Sequence, residues 1–454
     1  MNEGRYLVLA PLLNRLLADG LIEEWVGPSQ EPRAKMEPLV KPEDRSRIHY
    51  LEDGENPFKT YGEAADYIQS LGREIPGLDM GRVFSAEKYM DRHFPAGLRD
   101  VANAFRFLKT IREKHDLTMA FSDFPASSMD MMIYYMMRAR EARTFYFTSN
   151  RFGVSLHYVD SLEGPKADVR DLYIHFRKAM AAEDREEAAK YLEDFLVNKR
   201  KPYYFNPKLN RGGLLAKLAR AWKSGTLTHP VAALRGFRSK RRLEAVQRVI
   251  PYAKLDPSDR IIFHPLQYLP EASTYVRAPH YRDHVAVANL LAMRIPPGYT
   301  LYIKDHPLLK LRRTPEFYRD LLHFPNVKLL RYDADTHEVI HAAELTVTQS
   351  STAGLESLLY GVPVLLLGDA DIVYQDFHGV VKLGDMPMNT GIEKALAVRI
   401  ADEDKYPMIL SMLRAGYPGK MDDPRWDKDI LTPENIEHLY AFVKAKLALI
   451  PAAA

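Results

Sequence analysis

The residues best suited to chemistry in this 454-residue chain gather in its second half. The stretch YIKDHP closes an apolar run on Lys304, Asp305, His306 and Pro307. Ligands of open α/β sheets bind outside the carboxyl ends of strands, so this ending aims a cation, a carboxylate and an imidazole at a crevice. An imidazole there donates a hydrogen bond to a phosphate or leaving-group oxygen, and Lys304 offsets negative charge nearby. Pro307 stiffens the exit and suits a first helical turn. A surface or capping role would account for a lone His-Pro, so the weight rests on its neighbours.

Those neighbours lie in TQSSTAGLESLLYGVPVLLLG, where a strand delivers Ser350, Ser351 and Thr352 to a helix start. Unpaired backbone N–H groups and hydroxyls make such a start an anion site. Ala353 and Gly354 leave room for a ligand close to the backbone, and Glu356, one turn on, suits ribose hydroxyls. Ser, Thr and Glu also cap helices, and the two roles are compatible. With His306 in the neighbouring loop, a phosphate is the expected ligand.

A third group is FHPLQYLPEAST at 263–274, which offers His264 and Gln267 as substrate-binding candidates and Glu271 as a catalytic one. Pro265 and Pro270 favour an extended loop. A carboxylate set there stabilises an oxocarbenium-like centre or acts as nucleophile or base, and a solvated loop acid is the other reading. In the first half, SDFPASSMD places Asp123 at a strand end as candidate general base for an acceptor hydroxyl, or as a turn residue. Ser127 and Ser128 suit capping of the next helix, and the Met-rich MDMMIYYMMR reads as a buried helix face. Asp-Ala-Asp occurs at 333–335 and 369–371, in both cases as turn acids, and no metal site is expected.

Positioning these groups takes strands and helices in alternation. Around Asp123, the spacing predicts strands at 117–122 and 144–149 flanking a helix at 129–142, one βαβ unit. Further on, strands at 260–266, 299–305, 327–331, 345–349 and 362–368 alternate with helical patterns, the rhythm of a doubly wound parallel sheet. The fold class is therefore α/β. The expected division is an N-terminal acceptor-side domain at 1–198, a connector at 199–250, a nucleotide-sugar domain at 251–400 and a helical segment at 401–454.

Composition narrows the function classes. Hydrophobic residues make up 46% and charged residues 27%, which suits soluble globular domains rather than disorder. The absence of cysteine excludes disulfide frameworks and thiol nucleophiles. No targeting signal or spanning run is apparent, so a cytoplasmic location is expected. The net charge of +3 conceals an asymmetry: fourteen Lys and Arg against the single acid Glu244 give +13 between Lys199 and Arg248, leaving −10 elsewhere. Within it, GGLLAKLARAW at 212–222 has an amphipathic pattern, so an anionic membrane surface is a candidate partner for 199–242, with a solvated linker as the alternative. No nucleic-acid motif accompanies the basic run, and no nucleic-acid partner is expected.

The order PLQ…PEAST, then KDHP, then QSSTAGLESLLYGVPVLLLG resembles the capsule polysaccharide synthesis and surface-carbohydrate biosynthesis proteins, which include bacterial Kdo transferases. The resemblance covers about residues 255–378. It implies a GT-B fold, two Rossmann-like doubly wound domains facing across a cleft, with a nucleotide sugar bound mainly by the C-terminal one. It further implies that His306-Pro307 and Ser350-Ser351-Thr352 bind the nucleotide phosphate. In the Kdo transferases an aspartate after the PLQ segment acts at the anomeric carbon, and the aligned residue here is Glu271, one methylene longer. The expected activity is transfer of a sugar from a nucleotide-activated donor, CMP-Kdo-like, to a surface glycan, with no cofactor. A nucleotide-sugar 2-epimerase of the same fold and a non-catalytic scaffold are the alternatives.

Overall fold

The computed structural model describes residues 6–27, 36–50, 55–86, 94–115, 117, 119–123, 128–139, 143–149, 155–159, 166–198, 250–269, 272–309, 313–369, 372–421 and 428–448. Two short strands, β1 (Trp25–Gly27) and β2 (Ile48–Tyr50), pair in parallel near the start. The expected βαβ unit follows as β3 (Met119–Asp123), the helix Ser128–Arg138 and β4 (Arg143–Ser149), with β3 and β4 parallel. Met131, Met132, Tyr134, Met136 and Met137 of that helix are buried, as the Met-rich pattern predicts.

The sheet of the N-terminal half is α/β in character, as expected, and carries one antiparallel edge. The strand β5 (Ser155–Val159) runs antiparallel to β4, so the described N-terminal sheet adds an antiparallel strand to its parallel βαβ unit. A hairpin-like return needs no crossover helix, and no α-helical pattern separates residues 149 and 155.

The C-terminal half carries six parallel strands: β6 (Arg260–Pro265), β7 (Tyr299–Lys304), β8 (Val327–Leu330), β9 (Ala343–Thr348), β10 (Val364–Leu366) and β11 (Val380–Lys382). Their spatial order is β11-β10-β9-β6-β7-β8, the two-winged order of a dinucleotide-binding Rossmann sheet. The strands read as near-continuous apolar runs because helices cover both faces. Leu301 and Ile303 pack on one face with Val287 and Leu291, while Phe263 and Tyr302 pack on the other with Val339 and Ala353.

The chain crosses between the halves twice. The helices Ala167–Lys178 and Ala182–Asn198 bury Tyr173, Phe176, Leu192 and Phe195 against Leu355, Leu359 and the helix Asp402–Arg414. The boundary expected at residue 198 thus falls inside a core shared with the C-terminal half, because both helices turn apolar faces to it. In return, β12 (Tyr417–Pro418) pairs antiparallel with β5, and the helix Pro433–Leu447 packs Leu439, Phe442 and Val443 with Val8, Leu12 and Leu156. The segment 401–454 is therefore no separate unit in its described part. A further contact joins the halves where the helix Met80–Ala86 meets the helix Ala272–Arg277, burying Val83 and Val276 together. The basic connector and its amphipathic stretch lie outside the described residues, Ile250 excepted.

Candidate functional site

From β6 the chain moves outward to β7 and β8, then returns to β9 on the other side of β6. Loops leaving the carboxyl ends of β6 and β9 diverge there, which opens the crevice where such sheets bind ligands. Backbone bonds carry the pairing slightly past the strand ends. Leu266 donates to the carbonyl of Lys304 at 2.9 Å, and Gly368 donates to that of Gln349 at 2.9 Å. Residues 264–267, 304–306 and 348–352 are thereby brought side by side.

Gln267 organises the serine turn. With its amide oriented to satisfy both ends, Oε1 accepts from the N–H of Ser350 at 2.6 Å and of Ser351 at 2.9 Å, and Nε2 donates to Ser350 Oγ at 3.2 Å. Ser351 caps the helix Thr352–Leu359, its Oγ accepting from the N–H of Ala353 at 3.2 Å. The expectation of open N–H groups at Ser350 and Ser351 is therefore corrected: both face an internal acceptor. Thr352 keeps its N–H and hydroxyl without a partner among the described residues. Gly354 is corrected as well. A Cβ at this position would lie 2.6 Å from the hydroxyl of Tyr374, which donates to the carbonyl of Ser351 at 2.6 Å, so the missing side chain admits a tyrosine rather than a ligand.

Lys304 and Asp305 leave β7 toward opposite faces. Asp305, 1% exposed, accepts from Arg313 Nε at 3.0 Å, from the Tyr318 hydroxyl at 2.8 Å and from the N–H of His306 at 2.8 Å. Arg313 also donates to the carbonyl of Gln267 at 3.3 Å and reaches His284 Nδ1 at 3.1 Å, with its guanidinium 4.2 Å from the ring centre of Phe317. One arginine thus ties the KDHP end to the PLQ end.

Lys304 is 5% exposed, yet its ammonium makes no hydrogen bond or ion pair among the described residues. Burial lowers its pKa to about 8, against the fields of Asp305, Glu356, Asp335 and Asp333, which favour the charged form. A buried cation without a partner among the described residues, beside a helix start, suits an anion. His306 is half-buried against Tyr268, ring centres 5.6 Å apart. Burial first and the charge of Lys304 second lower its pKa to about 4, so its imidazole is neutral at pH 7 and serves as a hydrogen-bonding group rather than a charge.

His264 is corrected from a substrate-binding candidate to a core residue. It is fully buried, bonds Val347 O through Nδ1 at 2.7 Å, and burial lowers its pKa to about 4. Glu271 lies outside the described residues. Asp123 ends β3 as expected, though of it only the backbone is described; Ser127 is undescribed, and Ser128 donates to Val83 O at 2.8 Å. Of the two Asp-Ala-Asp turns, Asp369 pairs with Arg82 at 3.0 Å, and Arg82 also donates to Val276 O at 2.6 Å, which pins the contact between the halves. Asp335 caps the helix Thr336–Ala342.

Sequence reading missed Arg313, Tyr318, His284, Tyr374 and Arg82. Arg313 had one usable signal, a basic residue following a buried-strand Asp by eight positions; the others sit in ordinary helical or loop patterns. A cavity of about 360 Å³ lined by Arg260, Tyr299, Glu344 and Arg399 opens at the amino ends of the strands, away from the crevice.

Among solved structures, the chain is similar to two KpsC transferases of Thermosulfurimonas dismutans. The β-Kdo 2,7 transferase is 13% identical, covering 76% of this chain and 90% of its own, with a TM-score of 0.33. The β-Kdo 2,4 transferase is 15% identical, covering 64% and 78%, with a TM-score of 0.35. A UDP-GlcNAc 2-epimerase from Neisseria meningitidis is 11% identical over 98% of this chain and 96% of its own, with a TM-score of 0.24. No curated protein matches the sequence. Residues 175–383 match the family model of capsule polysaccharide biosynthesis proteins, which bears out the family resemblance carried by the motifs. That span contains the whole crevice from Gln267 to Tyr374.

Proposed function

We propose that this protein transfers a sugar from a nucleotide-activated donor, CMP-Kdo-like, to a surface or capsular polysaccharide. The observation that carries the reading is Lys304: a buried cation with no hydrogen bond or ion pair among the described residues, at the switch point of a Rossmann-order sheet and beside Thr352 at the start of the helix Thr352–Leu359. The family match over residues 175–383 supports the same class of reaction.

In this reading the donor phosphates lie between Lys304, His306 and Thr352, with Pro307, Ser350, Ser351 and Gly354 shaping the wall and Glu356 on the ribose. As the bond from the anomeric carbon to the phosphate oxygen breaks, negative charge grows on that oxygen, and Lys304 and the N–H of neutral His306 stabilise it. Glu271 acts at the anomeric carbon. Asp123 takes the proton of the acceptor hydroxyl as the new glycosidic bond forms. Positive potential for the phosphates comes from Lys304 and the helix start, so the scheme uses no metal in the crevice. The basic segment 199–242 brings the enzyme to an anionic membrane, and no described helix is long and apolar enough to span one.

The test is a thermal-shift screen with CMP, UDP, GDP and CMP-Kdo. A ligand bound by the native state alone raises the melting temperature, by an amount equivalent to about 2.7 kcal/mol at a hundredfold excess over Kd. One nucleotide is expected to stabilise the wild type and fail with Lys304→Ala. No stabilisation by any of the four sinks the proposal. Sugar conversion without a glycan acceptor would identify an epimerase instead.

A further inference from the structure

We propose that Glu24, His49 and His115 form a divalent transition-metal site, of the kind that takes zinc, in the N-terminal half of the molecule. The inference is independent of the crevice and of the reaction assigned to it.

The three residues lie 25 and 66 positions apart in the chain, which is why no motif betrays them. Folding joins them. Glu24 immediately precedes β1, and His49 is the middle residue of β2, opposite Val26 in the parallel pair. His115 follows the helix Phe94–Lys114 and remains tied to it by its N–H, which donates to Ile111 O at 2.9 Å. Two imidazole nitrogens and one carboxylate oxygen come within 4.8 Å of one another.

The grouping places three donors of the types zinc takes around one point. Zinc binds imidazole nitrogen and carboxylate oxygen at about 2.1 Å, so neighbouring ligands of a tetrahedral site stand about 3.4 Å apart. His49 Nε2 and Glu24 Oε2 are 3.5 Å apart, the spacing of two such ligands, while His115 Nδ1 is in direct hydrogen-bonding contact with the same oxygen and has to draw back for an ion to enter between them. The two imidazoles are 4.4 Å apart between ring centres and tilted by 42°, turned toward one carboxylate. As a network the arrangement is incomplete: His49 Nε2 is buried and, beyond its 3.5 Å approach to Glu24, has no hydrogen-bond partner among the described residues. A single divalent ion accepts lone pairs from all three groups and removes that defect.

The electrostatics agree. The last carbonyls of a helix carry partial negative charge, and His115 directly follows a helix of 21 residues. A carboxylate oxygen with two imidazole nitrogens is also a donor set that zinc favours over calcium or magnesium, which prefer all-oxygen shells. Three protein ligands leave one position for water. Bound there, the ion fastens the segment before β1, strand β2 and the end of the long helix to one another.

The experiment uses the full-length chain, stripped of metal by chelation and dialysis, then titrated with Co²⁺ and afterwards with Zn²⁺. The wild type is expected to take up one equivalent of Co²⁺ with the visible d–d absorption of a tetrahedral nitrogen–oxygen site, and to lose it to Zn²⁺. His49→Gln and His115→Gln are each expected to weaken Co²⁺ binding by more than about 100-fold, since even outer-shell changes cost 10–100-fold. Zn²⁺ should raise the melting temperature of the wild type and leave that of the His49→Gln/His115→Gln double variant unmoved. Wild-type protein without d–d absorption at stoichiometric Co²⁺ overturns the proposal, and that measurement needs no variant to fold. Equal Co²⁺ uptake by wild type and double variant overturns it as well.

Discussion

Lys304 and Asp305 are adjacent in the chain and both almost fully buried, yet their surroundings are opposite. Asp305 has three internal partners, Arg313, Tyr318 and the N–H of His306, and Arg313 extends the network to Gln267 and His284. Lys304 has none among the described residues, only the fields of nearby carboxylates. Buried polar groups in native proteins are nearly always paired. The completed side of the strand end fixes geometry, and the incomplete side is where the proposed donor phosphate would supply what the described residues do not. The difference separates residues that position the site from those that touch its contents.

The sharpest way to break this comparison is Arg313→Ala. Removing one partner of a buried ion pair leaves the other charge uncompensated and costs about 3–5 kcal/mol. Arg313 is 10% and Asp305 1% exposed, so solvent offers little relief. Denaturant unfolding should show the unfolding free energy lowered by that amount, and Arg313→Lys, which keeps charge but loses the fork, should fall between. A loss below about 1 kcal/mol would mean that the network is ornamental and that the two sides of the strand end do not differ as described.

Lys304→Met should act in the reverse direction. Burial holds the ammonium near pKa 8 instead of 10.5, so keeping Lys304 charged at pH 7 opposes folding, and the variant should be more stable by about 1–3 kcal/mol. Between about 8 and 10.5 the unfolded chain retains a proton that the folded chain has released, so wild-type stability rises through this window and the gap to Lys304→Met closes. Donor binding changes oppositely: nucleotide stabilisation should vanish in the variant and should decline in the wild type as pH rises past about 8. A variant both less stable and still nucleotide-binding would remove Lys304 from the site.

Much of this was legible in the sequence. The apolar runs at 260–266, 299–305 and 345–349 announce strands of a parallel sheet, and the KDHP and QSST endings mark which ends matter, because strand ends are where such sheets bind. The identity of the groups left free was not legible. Ser350 and Ser351 look like open anion ligands until Gln267, 83 residues earlier than Ser350, is found to occupy their N–H groups. Gly354 looks like room for a ligand until Tyr374 is found against it. His264 looks available until Val347 is seen to hold it in the core. Each of these facts is a contact distant in sequence, and local spacing carries no information about it. The antiparallel β5 and the shared core of 167–198 were hidden for the same reason, since partners for a strand edge or a helix face are chosen in three dimensions.

The smallest expected effects test the serine turn residue by residue. Ser351→Ala removes the acceptor of the Ala353 N–H and should cost about 1 kcal/mol of stability, the usual effect of losing a helix cap. It should leave nucleotide affinity nearly unchanged, because its hydroxyl already serves the helix and its N–H faces Gln267. Thr352→Ala should do the opposite. Its hydroxyl has no partner among the described residues, so its loss should barely move the melting temperature, while nucleotide affinity should fall by about 0.5–1.5 kcal/mol, or a few-fold to tenfold. Melting curves with and without nucleotide, read on the two variants together, separate capping from binding at neighbouring positions. If Ser351→Ala weakens nucleotide binding and Thr352→Ala does not, the donor phosphate displaces Gln267 from the turn, and the turn belongs with the incomplete side of the site rather than the completed one.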